Sequence, residues 1–254
     1  MTTDYLTQLF TLDGRLALVT GASSGIGRAM ATALGQAGAR LVLVARGAEA
    51  LAGTVEELAG LGCEARSVSV DLADRGAIAR LVDEVPDVDI LVNSAGVNIR
   101  PPMAELSEVD WDVTLAVNLT APYLLGQHYG PRMARQGFGR IITLASQQSV
   151  RAYGNSGAYG ASKAGVTGLI RSQAEAWSPY GVCCNAIAPD VVRTPMTEAF
   201  LADPARARAA AERTMVGHNG TPADFAGVAV FLASHASSHI TGQTIFVDGG
   251  FSAH

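Results

Sequence analysis

The chain has 254 residues, enough for one large α/β domain, and its hydrophobic content of 48% supports a substantial buried core. Its formal net charge of −5 and its scattered arginines argue against a nucleic-acid partner. No stretch is apolar over the roughly 18 residues of a membrane helix, and the acidic N-terminal segment is too polar for a signal peptide.

The cysteines, at positions 63, 183 and 184, show no spacing typical of metal ligands. They predict reduced thiols, no bound metal and a cytoplasmic protein. No Pro-rich, Ser-rich or single-charge run separates two halves, so residues 1–254 are predicted to form a single domain.

Residues 1–14 are predicted to be a loose leader, and the apolar run at residues 15–20 (RLALVT) predicts a buried strand. A turn containing Gly21, Gly25 and Gly27 follows, and an apolar helical segment then runs to about residue 37. Glycines let the backbone approach a phosphate, and the helix N-terminus offers free N–H groups. The strand, turn and helix therefore predict a phosphate-binding turn, the alternative being an ordinary tight turn.

A second buried strand is predicted at residues 41–45, and Arg46 follows it. Dinucleotide-binding folds commonly carry an acid at this position, which accepts hydrogen bonds from the ribose hydroxyls. An arginine instead suits the 2′-phosphate of NADP, which a carboxylate would repel. Arg46 therefore favours NADP over NAD, the alternative being a surface cation at the start of the next helix.

Further strands are predicted at residues 65–70, 89–93, 140–145, 182–188 and 244–247, with helical patterns between them. This alternation predicts right-handed βαβ units in a Rossmann-type, doubly wound parallel sheet of about seven strands, with helices on both faces. Ligands bind such sheets beyond the carboxyl ends of the strands. The glycine turn, Arg46, Asp71, Asn93 and Ser146 all follow predicted strands, so they are expected to converge on one crevice.

The helical stretches carry further candidates. A helix is predicted from a capping-box variant at Ser107 to about residue 119, and Asn118 within it could mark a kink or a buried water site. Pro122 indicates a break or a new start, with the next helix reaching about residue 133. Residues 190–220 are predicted to form a flap over the site, mobile and helical from residue 197. Thr221 is predicted to begin a helix that ends near residue 233.

Tyr159 and Lys163 open an apolar segment that is predicted to be helical to about residue 177. On a helix the two side chains lie one turn apart on the same face. A lysine ammonium there favours the phenolate and lowers the pKa of the tyrosine from its usual value of about 10. The tyrosine could then act as a general acid or base on a hydroxyl or carbonyl, with Ser146 donating a hydrogen bond to the same oxygen. The alternative is a chance surface pair.

Taken together, these residues resemble the short-chain dehydrogenase/reductase family over nearly the whole chain. The resemblance rests on three segments, which are Thr20-Gly21-x-x-x-Gly25-x-Gly27, Asn93-Ser94-Ala95-Gly96, and the set Asn118, Ser146, Tyr159 and Lys163. It implies NAD(P)-dependent hydride transfer between a secondary alcohol and a ketone, catalysed by those last four residues. It also implies a homotetramer built on the helices beside Asn118 and Tyr159 and on the last strand.

The resemblance further implies roles for individual residues. Asn118 would hold a water in a proton relay to Lys163, which would also hold the ribose hydroxyls. Asp71 and Leu72 would contact adenine, and Val192 and Thr194 the nicotinamide carboxamide. The expected cofactor-binding residues are Gly21, Ser23, Ser24, Gly25, Ile26, Gly27, Arg46, Asp71, Leu72, Asn93, Ala95, Gly96, Tyr159, Lys163, Pro189, Val192 and Thr194.

For the substrate, the chain resembles bacterial sugar-acid and polyol dehydrogenases and also 3-oxoacyl carrier-protein reductases. The loop residues expected to border it are Asn98, Arg100, Gln147, Gln148 and Arg151, with Ser146 at the reacting oxygen. A polar, cationic rim fits a small polyol or carboxylate better than an acyl chain. The alternative for Arg100 and Arg151 is ordinary solvated loop charge.

Asp190 departs from the family pattern, which usually has Pro-Gly after the sixth strand. Its carboxylate could bind a substrate hydroxyl or narrow the pocket. It could also lower activity, because glycine permits backbone angles that aspartate tolerates less well. A non-catalytic NAD(P)-binding regulator is therefore an alternative, although the intact Ser/Tyr/Lys set argues against it. A lyase of the halohydrin dehalogenase type is a third, but those proteins lack the glycine turn that this chain keeps.

Overall fold

The computed structural model describes residues 2–253, with side chains from residue 5 onward, so Met1 and His254 lie outside it. Seven parallel strands form one sheet in the order β3-β2-β1-β4-β5-β6-β7. The strands are β1 (Leu16–Thr20), β2 (Arg40–Ala45), β3 (Ala65–Ser69), β4 (Ile90–Asn93), β5 (Gly139–Leu144), β6 (Val182–Pro189) and β7 (Thr244–Val247). The chain winds outward from β1 to β3 and then returns to place β4 beside β1, which makes this pair the switch point of the sheet.

Helices cover both faces of the sheet, which confirms the predicted doubly wound fold. They are α1 (Thr2–Phe10), α2 (Gly25–Gln36), α3 (Ala48–Gly60), α4 (Arg75–Glu84), α5 (Glu108–Leu115), α6 (Ala121–Gln136), α7 (Gly157–Trp177), α8 (Glu198–Leu201), α9 (Pro204–Ala211) and α10 (Ala226–Ala233). One buried layer contains Met30, Leu34 and Leu232, and the opposite layer contains Leu81, Tyr129 and Val166. Because both faces are covered, β4, β5 and β6 are buried along their whole length.

The predicted loose leader is wrong, because Thr2–Phe10 forms helix α1. Leu12 is buried behind it, and its backbone N–H donates to the carbonyl of Ala37 at 2.8 Å. A helix is formed here because a long-range hydrogen bond and a buried leucine anchor its end to the body of the domain. Sequence composition alone did not reveal that contact.

A π-helical turn at Ala116–Thr120 joins α5 to α6 without a break, so the predicted helix end near residue 119 is wrong. Ser107 caps α5, accepting a hydrogen bond from the N–H of Asp110 at 3.1 Å. Helix α6 continues beyond the predicted end, to Gln136, where Gly137 adopts a left-handed conformation with φ of 73°.

The segment predicted to be a flap contains the short helices α8 and α9. Its mobility stays a prediction. After it, Thr221 and Asp224 form a reciprocal capping box at the start of the turn Pro222–Phe225, which leads into α10 as predicted. Among the described helices, none is long and apolar enough to cross a membrane.

Candidate active site

A crevice of about 370 Å³ opens at the carboxyl ends of the strands, near the switch point between β1 and β4. This is where ligands bind open parallel sheets. Its wall is formed by the turns after β1 and β2, the segments after β3 and β4, part of α7 and the start of the flap. The lining residues are Gly21, Ser23, Ser24, Gly25, Ile26, Gly27, Ala45, Arg46, Gly47, Val70, Asp71, Leu72, Ser94, Ala95, Gly96, Val97, Val117, Leu144, Tyr159, Lys163, Thr194, Pro195 and Met196.

The glycine turn after β1 lies against the segment after β4, and two of its glycines leave no room for a Cβ atom. A Cβ atom on Gly21 would come within 2.8 Å of the backbone of Ala95, and one on Gly27 within 2.3 Å of the carbonyl oxygen of Gly21. The Thr20 hydroxyl accepts hydrogen bonds from the N–H groups of Ser94 and Ala95, both at 3.1 Å. The same turn opens α2, whose first N–H groups receive no cap from the Ser24 side chain. The turn thus fits a diphosphate, which those N–H groups can bind.

Arg46 lines the crevice directly after β2, and its side chain is exposed. Among the described residues its guanidinium forms no ion pair. Its carbonyl accepts a hydrogen bond from the Ser69 hydroxyl at 2.8 Å, which holds the ends of β2 and β3 together. Leu72 forms buried wall nearby, and Asp71 is exposed. The arrangement presents an unneutralised cation beside a surface that could hold an adenosine.

Three of the predicted cofactor-binding residues do not line the crevice. Asn93 is buried in the sheet, where its side-chain amide donates to the Thr143 hydroxyl at 3.2 Å. Val192 is 2% exposed, and Pro189 is the buried last residue of β6. Sequence reasoning also missed lining residues such as Met196, because apolar residues in loops carry no motif.

Ser146 and Tyr159 are brought together by the end of β5 and the first turn of α7. The Ser146 hydroxyl accepts a hydrogen bond from the N–H of Gln148 at 3.1 Å. Burial raises the pKa of Tyr159, and the Ser146 side chain and the positive charge of Arg100 oppose this shift because both favour the ionised phenol. The phenol therefore keeps its proton at neutral pH.

The expectation that Lys163 lowers the pKa of Tyr159 is wrong for this structure. The Lys163 ammonium lies 5.8 Å from the centre of the Tyr159 ring and donates to the Leu144 carbonyl at 2.5 Å. Burial in turn lowers the pKa of Lys163 to about 8. The lysine is therefore held by the end of β5, with its amino group on the crevice wall.

Asn118 contacts the segment after β4 through both groups of its side-chain amide. Its Oδ1 accepts from the Val97 N–H and its Nδ2 donates to the Val97 carbonyl, each at 2.9 Å. The Nδ2 group also donates to the Ser162 hydroxyl on α7 at 3.1 Å. Asn118 thus positions one crevice wall against α7, and its role in a proton relay stays a prediction.

The predicted substrate residues Arg100, Gln148 and Arg151 lie in loops around Tyr159, outside the crevice lining. Arg100 donates to the side chain of Asn155 at 2.7 Å, and its charge acts on Tyr159. Gln148 accepts a hydrogen bond from Ser156 at 2.9 Å. Arg151 is exposed and donates to the carbonyl of Ser252 at 3.4 Å, so it ties this loop to the C-terminal segment. Gln147 and Asn98 each bury a side-chain oxygen that has no hydrogen-bond partner.

Asp190 does not line the crevice, and its contact with a substrate stays a prediction. A Cβ atom on Gly220 would lie 3.3 Å from the Oδ1 atom of Asp190. Burial raises the pKa of Asp190 to about 6, with further contributions from the charges of Asp248 and Asp224. Backbone strain is excluded, because no described residue other than glycine has a positive φ.

Replacing Asp190 with asparagine should stabilise the protein at alkaline pH. Because the pKa of Asp190 is higher in the folded state, about 6, than its unfolded value of about 3.9, the wild type loses stability as pH rises through this window. The amide of D190N carries no charge, so the variant should gain about 1 kcal/mol at pH 8, allowing for partial exposure, and nothing near pH 4. Urea unfolding at both pH values measures this, with D112N on the exposed face of α5 as control. An equal gain at both pH values would contradict the charge argument.

Comparisons with known proteins agree with this geometry. A family model described as enoyl-(acyl carrier protein) reductase matches residues 21–252. The chain is 42% identical to D-threitol dehydrogenase of Mycolicibacterium smegmatis, covering 95% of this chain and 94% of that protein. It is 37% identical to gluconate 5-dehydrogenase of Gluconobacter oxydans, covering 95% and 96%. The crystal structure of gluconate 5-dehydrogenase from Burkholderia cenocepacia in complex with NADP and tartrate is similar at 35% identity, with a TM-score of 0.91 and coverage of 98% and 99%.

Proposed function

The chain belongs to the short-chain dehydrogenase/reductase family, and from this membership we propose that it interconverts a secondary alcohol and a ketone with NADP as hydride carrier. The observation that carries the proposal is that the Tyr159 phenol lines the same crevice as Lys163 and the glycine turn. Spectrophotometric turnover of a panel of ketones with NADPH and NADH tests it. Turnover with no member of the polyol and sugar-acid classes would contradict it.

The residues of the crevice fit a dinucleotide. The turn at residues 21–27 would hold the diphosphate, Arg46 the 2′-phosphate, and Asp71 and Leu72 the adenine. Lys163 would hold the ribose hydroxyls of the other half, with Gly96 and Thr194 near the nicotinamide. When bound, NADPH supplies a hydride and NADP accepts one.

The protein's own residues handle the proton. In ketone reduction Tyr159 donates its phenolic proton to the carbonyl oxygen, and in alcohol oxidation the phenolate takes the hydroxyl proton. Ser146 donates a hydrogen bond that orients the same oxygen and stabilises the negative charge that develops on it. Asn118 holds the segment at residues 96–97 against α7 and so keeps the wall next to Tyr159 in place.

Reduction and oxidation should respond to pH in opposite directions. Because burial raises the pKa of Tyr159, the phenol is protonated at neutral pH and can donate its proton. The kcat/KM for ketone reduction should therefore fall toward alkaline pH, and that for alcohol oxidation should rise there as the phenol ionises. Initial rates in both directions across neutral and alkaline buffers measure this. A reduction rate that climbs with pH would contradict the assignment of Tyr159 as the acid.

The substrate class that the site supports best is a small polyol or sugar acid. The charge of Arg100 acts on the reacting tyrosine, and Asn98 and Gln147 each bury a side-chain oxygen without a hydrogen-bond partner. Two similar proteins are named for substrates of these classes, since threitol is a polyol and gluconate is a sugar acid. Turnover of a panel of ketoses and keto acids would show which of the two classes this protein prefers.

A 3-oxoacyl-thioester reductase is the second candidate. Met196 lines the crevice and is 49% exposed, and Phe200 is exposed on α8 a few residues further along the flap. These apolar side chains could contact an acyl chain. Acetoacetyl-thioester turnover at a higher kcat/KM than any sugar acid would favour this candidate. A non-catalytic NAD(P)-binding regulator is the alternative that turnover of any ketone or alcohol in the panel would exclude.

We also propose a cytoplasmic homotetramer. Exposed apolar side chains lie on the helices beside Asn118, with Val109 at 75%, Trp111 at 37% and Tyr123 at 43% exposure. Such side chains on adjoining helices suit a contact with a second copy. Light scattering coupled to size exclusion measures the mass of the assembly, and a monomer at micromolar concentration would contradict the proposal.

A further inference from the structure

A tyrosine that no motif marked lies within 6 Å of two arginines. Tyr153 is in the loop between β5 and α7. The guanidinium carbon of Arg100, from the loop after β4, lies 5.6 Å from the centre of the Tyr153 ring. That of Arg213, from the segment after α9, lies 5.8 Å from the same ring centre. Two cations from distant parts of the chain therefore share one aromatic ring.

Both cations lack an acidic partner in the part of the chain that the structure describes. Arg100 bonds to Asn155 and forms no ion pair. Arg213 is exposed, and its guanidinium carbon also lies 4.5 Å from the centre of the Phe251 ring. Packing against two rings restricts the rotamers of Arg213, so less conformational entropy is lost when it binds an anion.

A short chain of hydrogen bonds connects the backbone of Tyr153 to Ser146. Its backbone N–H donates to the Ser156 hydroxyl at 2.9 Å, and that hydroxyl donates to Gln148 at 2.9 Å. The N–H of Gln148 in turn donates to Ser146 at 3.1 Å. The charge of Arg100 also acts on Tyr159. The paired cations therefore have a defined position relative to the reacting oxygen.

We propose that Arg213, together with Arg100, binds the carboxylate of an open-chain sugar acid while its ketone or hydroxyl carbon reacts at Tyr159. This deepens the proposed function and rests on it. Guanidinium groups bind carboxylates through paired, charge-assisted hydrogen bonds, whereas a neutral polyol offers no charge to them. Arg213 is thus the residue that separates sugar acids from neutral polyols, and it belongs to the segment predicted to cover the site.

A matched pair of ketones tests this inference. 5-Keto-D-gluconate and L-sorbose share a hydroxyketone chain and differ at the far end, which is a carboxylate in the first and a CH₂OH group in the second. The wild type should prefer the acid, and R213Q should raise its KM for the acid by about 10- to 100-fold, the worth of a hydrogen bond to a charged group. The kcat/KM for L-sorbose should stay within about threefold, and R213K should recover part of the loss.

Arg208→Gln is the matched control, because Arg208 is an exposed arginine in the last turn of α9, and the arginines found near the Tyr153 ring among the described residues are Arg100 and Arg213. It should leave both substrates unchanged. If R213Q lowers activity on both ketones equally, Arg213 is a structural latch on Phe251 and the inference is overturned. An unchanged KM for the acid overturns it as well.

Ligand binding separates a failure of this inference from a failure of the proposed function. With NADP present, D-gluconate should raise the Tm of the wild type more than the neutral polyol D-glucitol does. R213Q should abolish that difference whether or not the protein turns over either compound. An equal rise in the Tm of the wild type with both ligands would overturn the carboxylate site. It would not affect the oxidoreductase assignment, which the turnover assay tests separately.

Discussion

Tyr159→Phe should lower kcat/KM by about 10²- to 10⁴-fold, the usual contribution of a general acid or base. The phenol lies in the crevice wall, where Ser146 and the charge of Arg100 both favour its ionised form. Phenylalanine keeps the ring, and with it the packing at the start of α7, but it has no proton to transfer. Steady-state rates in the reductive direction with NADPH measure the loss.

The control for Tyr159→Phe is cofactor binding. The glycine turn and Arg46 lie on other elements, so the Kd for NADPH should stay within a few-fold of wild type when followed by cofactor fluorescence. Tyr180→Phe is the matched variant, because Tyr180 is exposed beyond the end of α7 and lies outside the crevice lining. If Tyr159→Phe keeps turnover within tenfold of wild type, the catalytic assignment is wrong.

Arg46→Asp should reverse the choice of cofactor. The arginine stands exposed in the crevice wall without an ion pair among the described residues, so a 2′-phosphate would be its natural partner. In the variant a carboxylate at position 46 repels the 2′-phosphate that the guanidinium attracts. This change should lower kcat/KM with NADPH by about 10²-fold or more. The ribose hydroxyls of NADH can donate to the new carboxylate, so the rate with NADH should be kept or improved.

Arg40→Asp is the control for this reversal, because Arg40 is exposed at the opposite end of β2. It makes the same change of charge far from the crevice and should leave the ratio of NADPH to NADH activity unchanged. The salt dependence of the wild-type KM for NADPH gives a second measurement, since an exposed ion pair weakens as ionic strength rises. A wild type that prefers NADH, or an Arg46→Asp variant with unchanged preference, would show that Arg46 is only a surface cation.

These two variants change different parts of one crevice, the nucleotide-binding part and the reacting part. This separation explains how the cofactor site can stay constant while the substrate specificity changes. The glycine turn and the end of β2 hold the part of the dinucleotide that never reacts. The reacting tyrosine on α7 lies near loops that carry two arginines and a second tyrosine. Changes in those loops alter the substrate without disturbing the nucleotide site.

The fold could be predicted from the sequence because its signals are local. Short apolar runs alternating with helical patterns indicate a parallel sheet, and the three glycines at residues 21–27 follow from the close approach of two backbones. The capping box at Thr221 could likewise be inferred from a few neighbouring residues. The order of the candidates along the chain also placed the site at the carboxyl ends of the strands.

Only the tertiary structure decided the electrostatics and the outer part of the site. The pKa of Tyr159 depends on desolvation, on Ser146 and on Arg100, which lie well apart from it along the chain, and not on the lysine one turn away. Arg213 and Arg100 meet at one ring although more than a hundred positions separate them. Burial and charge act through space, so spacing along the chain could not reveal them.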